Sequence, residues 1–167
     1  MRRHGFRVLA IGATLVAAAA TSGCTVPVDA VAGISVREDG TLLGVLAICG
    51  HHLDGAVLYK DDAGNGHLAR WTAGHRLSPG LVTWPLSTTA VGWTADKPVP
   101  ALRPNTRYGL GGGTKDNSWS SSNVTFTLAD TERLTPGQVA YDKVTDSGEE
   151  SLTTVSVTEF EKAACDD

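Results

Sequence analysis

The feature that most constrains the fold is a series of short apolar stretches, each closed by residues that favour turns. Residues 31–37 are predicted to form a first strand. Residues 38–40 follow with an Asp-Gly pair, which is a strong signal for a hairpin turn. Residues 42–49 are continuously apolar, which suits a central strand. Short strands punctuated by turns favour a sandwich or barrel of antiparallel strands.

The same pattern continues through the middle of the chain. Further strands are predicted at residues 56–60, 67–72, 81–86 and 89–94. Pro85 restricts the third of these to an edge or a bulge, because proline donates no backbone hydrogen bond. The indole rings of Trp71, Trp84 and Trp93 are expected to pack in the core or at its rim rather than to form a ligand platform.

The last part of the chain departs from this pattern. Residues 131–148 are expected to form an irregular connection. Residues 152–157 alternate as a strand does. Residues 156–165 suit a short helix with a serine or threonine N-cap and with Phe160 on its buried side. The sequence therefore predicts an all-β fold with a short C-terminal helix.

One motif indicates a particular kind of sandwich. Residues 102–108 have the form Leu-x-Pro-x-Thr-x-Tyr and end at Tyr108. The motif resembles the corner between the fifth and sixth strands of fibronectin type III domains. There, a buried tyrosine hydroxyl bonds to the backbone a few residues upstream. The resemblance implies an antiparallel Ig-like or fibronectin type III-like sandwich, with residues 108–112 as its sixth strand and residues 123–128 as its seventh.

The N-terminus has the layout of a secretory signal peptide. Three arginines precede an apolar run over residues 8–20, which is too short to span a membrane core that needs about twenty residues. Ser22-Gly23-Cys24 then resembles the lipobox of bacterial lipoproteins. That resemblance implies cleavage before Cys24 and attachment of a diacylglyceryl group to its sulfur, with two fatty acyl chains such as palmitate. Two chains anchor stably where one is marginal.

These observations divide the chain into four predicted parts. They are a signal peptide over residues 1–23, a lipidated tether over 24–32, an Ig-like sandwich over 33–130, and a C-terminal extension over 131–167 packed on the sandwich. The predicted location is the extracytoplasmic face of the cell membrane. An ordinary secretion signal, with Cys24 free or in a disulfide, is the alternative.

The charge of the mature chain excludes one class of partner. The whole sequence has 14 Lys and Arg against 18 Asp and Glu, and residues 1–23 hold three arginines and no acid. Removing them leaves 11 basic and 18 acidic residues, a formal charge of −7. Nucleic-acid binders carry basic patches, so no nucleic-acid partner is expected.

The cysteine count predicts one disulfide. The chain has three cysteines, and lipid on Cys24 leaves Cys49 and Cys165 in an oxidising compartment. We expect these two to pair, with two buried free thiols as the alternative. The wide separation of the pair excludes a Cys-x-x-Cys metal or redox motif.

The whole chain also looks like actinobacterial lipoproteins of unknown function. The likeness is carried by the signal, by the glycine-rich start of the domain and by the apolar strand that ends in cysteine, within residues 44–55. It brings no activity with it. The leading hypothesis is therefore a non-enzymatic binding or envelope-structural domain, with no cofactor and no metal.

Two candidate sites remain for testing. Ser118, Trp119 and Ser120 lie in the predicted loop between the sixth and seventh strands, where an aromatic among small polar residues suits recognition of a protein or glycan. A tryptophan folded back on the sandwich is the alternative. An enzyme or metal-handling lipoprotein using His51, His52 and His67 is the second hypothesis, because imidazole suits zinc or copper. No common catalytic motif is present.

Overall fold

A computed structural model of the protein describes residues 25–62, 66–87, 89–145 and 148–166. The predicted signal peptide and the predicted lipid attachment at Cys24 lie outside the described residues. Within them, the chain is mostly β-strand, with two short helices. The all-β prediction and the short C-terminal helix are confirmed.

The described residues form twelve strands and two helices. The strands are β1 (Val28–Val36), β2 (Leu42–Ile48), β3 (Leu53–Lys60), β4 (His67–Leu77), β5 (Gly80–Pro85), β6 (Thr89–Ala90), β7 (Trp93–Ala95), β8 (Tyr108–Gly113), β9 (Ser120–Ser122), β10 (Val124–Phe126), β11 (Gln138–Val144) and β12 (Glu150–Ser156). The helices are α1 (Leu128–Thr131) and α2 (Val157–Ala163). Neither helix is long and apolar enough to cross a membrane.

All the strands belong to one large sheet that curls on itself. β1 pairs with β2 along one edge, and with β9 and then β11 along the other. β2 continues to β5, while β8 pairs with β3, β9 and β10, and β3 continues to β4 and β7. Trp84 of β5 stacks on Trp93 of β7 at 4.7 Å between ring centres. This contact joins the β1–β2–β5 part of the sheet to the part that contains β3, β4 and β7. Because β1 and β9 run parallel, the sheet is mixed. The sequence predicted antiparallel strands only, and that part of the prediction is wrong.

β2 is buried on both faces, as its unbroken apolar sequence requires. Leu46 and Ile48 face the main core, which also holds the fully buried rings of Trp71 and Trp84. Val45 and Ala47 face a second cluster, where β11 and α2 cover the outside of the sheet. The predicted core role of these tryptophans is confirmed, and Trp93 packs partly buried against them.

Glycines let large rings approach the sheet backbone. A Cβ atom added at Gly44 would lie 2.3 Å from Trp84 Cζ2, so that ring lies flat against β2. The predicted turn at residues 38–40 is present, and Gly40 has a φ of +81°, which favours glycine. Asp39 braces the same turn by accepting a hydrogen bond from Thr41 N–H at 2.9 Å.

Tyr108 has the burial and the backbone partner that the sequence predicts. Its side chain is 3 % exposed, and its hydroxyl oxygen accepts a hydrogen bond from Arg103 N–H at 2.7 Å. The bond fixes the irregular segment that enters β8. The tyrosine ring lies beside Phe126 of β10 with 5.9 Å between ring centres, so Tyr108 joins this segment to the core.

The C-terminal extension is more ordered than predicted. β11 lies inside residues 131–148, where an irregular connection was expected, and pairs with both β1 and β12. α2 begins after Ser156, whose side chain caps the helix. Phe160 is fully buried against Val139 and its neighbours. The extension therefore continues the sheet and covers its outer face at β2.

The predicted disulfide is present. The sulfur atoms of Cys49 and Cys165 are 2.07 Å apart, and their Cα atoms are 5.4 Å apart. Cys49 follows β2, and Cys165 follows α2. The bond therefore joins the end of a central strand to the end of the extension.

Two other predicted boundaries differ from the structure. The tether was predicted to run from 24 to 32, but β1 begins at Val28, and Ala30 and Ala32 are buried in the core. The described linker is therefore residues 25–27. The strand predicted at 89–94 is divided into β6 and β7, because Gly92 makes a turn between them at a φ of +80°.

Candidate functional site

Residues 114–119 form a tight connection between β8 and β9, which we call the Trp119 loop. Thr114 organises it, since its hydroxyl oxygen accepts hydrogen bonds from Ser118 N–H at 2.9 Å and Trp119 N–H at 3.1 Å. Asp116 accepts a further bond from the Ser118 hydroxyl at 2.7 Å. Hydrogen bonds from Ser118 and Thr114 lower the pKa of Asp116 to about 2. The loop is thus held by its own polar contacts.

Trp119 packs against a histidine from the neighbouring loop. Its ring stacks on His51 with 3.5 Å between ring centres and 16° between planes. Asp29 orients the histidine, because its carboxylate lies 2.9 Å from His51 Nδ1 and accepts bonds from the N–H groups of His51 and Gly50. Burial would raise the pKa of Asp29, but these hydrogen bonds outweigh it and lower the pKa. Trp119 is therefore held at a fixed position, half-buried.

Beside Trp119 lies a groove on the outer face of the sheet. It encloses about 330 Å³ and crosses β4, β3 and β8. Its floor contains Gly55, Gly111 and Gly113. Residues two apart on a strand point to the same face, so glycines at positions 109, 111 and 113 of β8 remove every outward side chain from that strand. The groove exists because β8 places no side chain of its own above this part of the sheet.

Two polar side chains from outside β8 lie over the backbone that these glycines leave uncovered. A Cβ atom at Gly109 would be 2.1 Å from Tyr59 Cζ, and one at Gly111 would be 2.0 Å from Asn123 Oδ1. Burial, with repulsion from Asp61 and other nearby carboxylates, raises the pKa of Tyr59. The phenol therefore stays protonated at neutral pH, and a protonated phenol can both donate a hydrogen bond to a ligand and accept one from it.

The groove carries charges of both signs. Lys115 and Arg70 lie along it, as does Asp54. Asp54 accepts a hydrogen bond from Lys115 N–H at 3.0 Å, which ties the Trp119 loop to β3. The lining therefore combines aromatic rings, two amides, a carboxylate and two cations around a floor of backbone.

The predicted loop residues have different positions. Trp119 and Ser120 line the groove, whereas Ser118 braces the loop from within. Ser120 was predicted to lie in a loop, but it is the first residue of β9, and its N–H donates to Pro27 O at 2.9 Å. The groove itself was missed, because residues 108–112 were predicted only as a strand of the sandwich. The i, i+2 spacing of Gly109, Gly111 and Gly113 was the available signal.

The three histidines of the second hypothesis do not come together. His51 precedes β3, while His67 pairs with Tyr59 near the far end of that strand, about 20 Å along the sheet. His67 instead contacts Asp96, with 2.5 Å between Nε2 and Oδ2. Among the described residues, no group of three His, Cys, Asp or Glu side chains could hold a metal ion.

Comparison with known proteins gives no function by similarity. No protein-family model, curated protein or solved structure matches the chain. The role of the protein is therefore inferred from the groove, from the charges that line it and from its position beside residues 25–27.

Proposed function

We propose that the chain is a lipoprotein held at the extracytoplasmic face of the cell membrane through lipid on Cys24, and that it binds a glycan in the groove beside Trp119. It is not proposed to be an enzyme. The observation that carries the binding role is the groove, whose glycine floor, aromatic walls and mixed polar lining are the features of a small-ligand site.

The strand pairings support an Ig-like or fibronectin type III-like arrangement for the domain. β1, β2 and β5 form one arm, and β4, β3, β8 and β10 form the other. Two such arms facing one another across a core are the pattern of that sandwich. The hydrogen bond from Arg103 N–H to the Tyr108 hydroxyl is the local feature expected at its corner.

The short linker would place the groove close to the membrane. Only residues 25–27 separate Cys24 from β1, and they span at most about 11 Å. Val26 itself lines the groove, and Pro27 is fixed by its hydrogen bond from Ser120. A ligand in the groove would therefore be an envelope component that reaches the membrane surface.

The position of the groove favours a glycan over a peptide. Extended peptides commonly bind by adding a strand to the open edge of a sheet. The groove instead crosses the face of β3 between β4 and β8, where the backbone groups are already paired. Tyr59 and Trp119 offer rings with polar tips, and Asn123 offers an amide, which together suit a ligand rich in hydroxyl groups.

The anchor is tested at Cys24. Cys24→Ala should prevent lipidation, so the protein should leave the membrane fraction or accumulate as its precursor. Mass spectrometry of the mature N-terminus should find acyl chains on Cys24. An unmodified cysteine at that position would contradict the proposal.

The groove is tested by filling it. A Cβ atom at Gly113 would meet only Trp119 O at 3.6 Å, an ordinary contact, so Gly113→Leu should fold normally and occupy the groove. Gly66→Leu is the matched control, because a Cβ atom there meets nothing within 4 Å and Gly66 is not in the groove. Binding of the membrane-held protein is measured against soluble oligosaccharides released from the envelope.

The expected result is saturable binding by the wild type and by Gly66→Leu, with at least a tenfold loss in Gly113→Leu. Trp119→Ala should weaken binding in the same direction. Equal binding by all variants would place the glycan elsewhere. Binding of envelope proteins but of no oligosaccharide would replace the proposed ligand by a protein.

A further inference from the structure

A second cavity opens at the opposite end of the domain from residue 25. It encloses about 540 Å³, within the range of roughly 300–1,000 Å³ that is usual for small-molecule sites. Leu42 and Gly40, at the turn between β1 and β2, form one side of it. β1 is nine residues long, so this end lies about 30 Å from the start of the strand.

The cavity extends from the surface into the core. Ala101 and Pro100 lie at its exposed side, whereas Leu58 of β3 is fully buried and forms part of its lining. An occupant would therefore leave water and contact core side chains. Burying apolar surface contributes about 25 cal/mol per Å², so a site that reaches the core favours an apolar ligand.

The lining is aliphatic. It includes Leu42, Leu58, Leu86, Val99, Leu102 and Leu128, and the described residues that line it carry neither a charge nor an aromatic ring. Its two hydroxyl groups belong to Ser87 and Thr131, and the Thr131 hydroxyl already donates to Leu128 O at 2.7 Å. A charged ligand group inside would lose its hydration without a partner of opposite charge.

The walls are held in place without an occupant. The bond between Tyr108 and Arg103 fixes the segment that carries Leu102. On another side, Thr127 and Asp130 form a reciprocal capping box that fixes the start of α1 and therefore Leu128. Because the walls are already ordered, binding a ligand there costs little conformational free energy.

From these features we propose that the cavity binds an uncharged aliphatic chain, as a second ligand site independent of the groove. The site is built from core leucines and two braced walls, and it faces away from the N-terminal linker. The proposed occupant is a single alkyl chain, because the described lining is aliphatic and offers neither an aromatic ring to stack on nor a charge to pair with.

The test uses the full-length protein in lipid nanodiscs, titrated with 1-octanol and followed by the methyl resonances of leucine. Saturable shifts are expected at Leu58 and Leu102. Octanoate, which has the same chain length but carries a charge, should bind at least tenfold more weakly than 1-octanol.

Two matched variants locate the site. Ala101→Phe should fill the cavity from its exposed side and weaken 1-octanol binding at least tenfold. Ala129→Phe makes the same change at an exposed position of α1 that does not line the cavity, and binding should be retained. Shifts that do not saturate, or equal binding by both variants, would overturn the proposal. Leu102→Ala provides a second check, because it enlarges the cavity and should favour 1-decanol over 1-octanol. An unchanged preference would count against the site.

Discussion

Removing the Cys49–Cys165 disulfide should lower the stability of the domain without changing its fold. Cys165→Ser is the preferred perturbation, because Cys165 is exposed and its replacement buries no new hydroxyl group. The tail keeps noncovalent contacts after the change, since Phe160 remains in the cluster with Val139 and Tyr141. The native state should therefore persist, and the main effect should be on the unfolded chain.

The magnitude follows from the length of the closed loop. The bonded cysteines are 116 residues apart, and the chain-entropy relation gives about 4.8 kcal/mol for a loop of that length at 25 °C. Measured effects often fall below this relation, so about 3–5 kcal/mol is expected. For a domain of this size each kcal/mol changes Tm by about 3 °C, which gives a decrease of about 10–15 °C.

Calorimetry of the oxidised wild type and of Cys165→Ser measures this difference. Cys49→Ser and the double variant serve as controls, because all three remove the same bond and their effects should not add. Any excess loss in Cys49→Ser measures the cost of a half-buried hydroxyl. A change in Tm of less than about 3 °C would refute the entropic reasoning, since it corresponds to about 1 kcal/mol.

Three further changes test other contacts. Tyr108→Phe should cost about 1 kcal/mol in denaturant unfolding, because Arg103 N–H loses its acceptor; an unchanged midpoint would contradict this. Gly44→Ala should lower the free energy of unfolding by about 1–3 kcal/mol or more, because its Cβ atom would lie 2.3 Å from Trp84 Cζ2. The Trp84 ring must then move, and a changed near-ultraviolet circular dichroism signal should report that shift. The pKa of Asp116 is about 2 in the folded protein, below the usual 3.8. The ionised carboxylate therefore stabilises the folded loop fully above pH 3.8, and this stabilisation is lost as the pH falls through about 2. Amide spectra of the loop should show this transition, and Asp116→Asn should abolish it.

The sequence predicted those parts of the fold that depend on local pattern. The unbroken apolar run of residues 42–49 predicted β2, and its burial on both faces follows from that pattern. Counting cysteines predicted the Cys49–Cys165 pair, and the motif ending at Tyr108 predicted a hydroxyl bonded to the upstream backbone. Each of these signals lies in one short segment or in a residue count.

The missed features depend on contacts between distant segments. β11 has a mixed sequence, and it becomes a strand because it can pair with β1 and β12 on either side. The parallel pairing of β1 with β9 likewise depends on where both strands lie in the folded sheet. For the groove, Trp119 was identified from its polar neighbours. Tyr59 of β3 and Asn123, between β9 and β10, come from other segments, and only the fold places them over Gly109 and Gly111.

The disulfide also determines how the domain would respond to mechanical tension between its two ends. Ala30 lies opposite Ile48, so the start of β1 and the end of β2 are neighbours, and Cys49 N–H donates to Asp29 O at 3.0 Å. Load entering at the C-terminus passes from Cys165 to Cys49 and reaches β2 directly. It then opens the seven paired positions between β1 and β2 from that end, one after another. The backbone of the 116-residue loop carries no tension along the chain, so the loop resists only through the pairing of β1 with β9 and β11. Most of the domain would therefore stay folded while its N-terminal strand peels away.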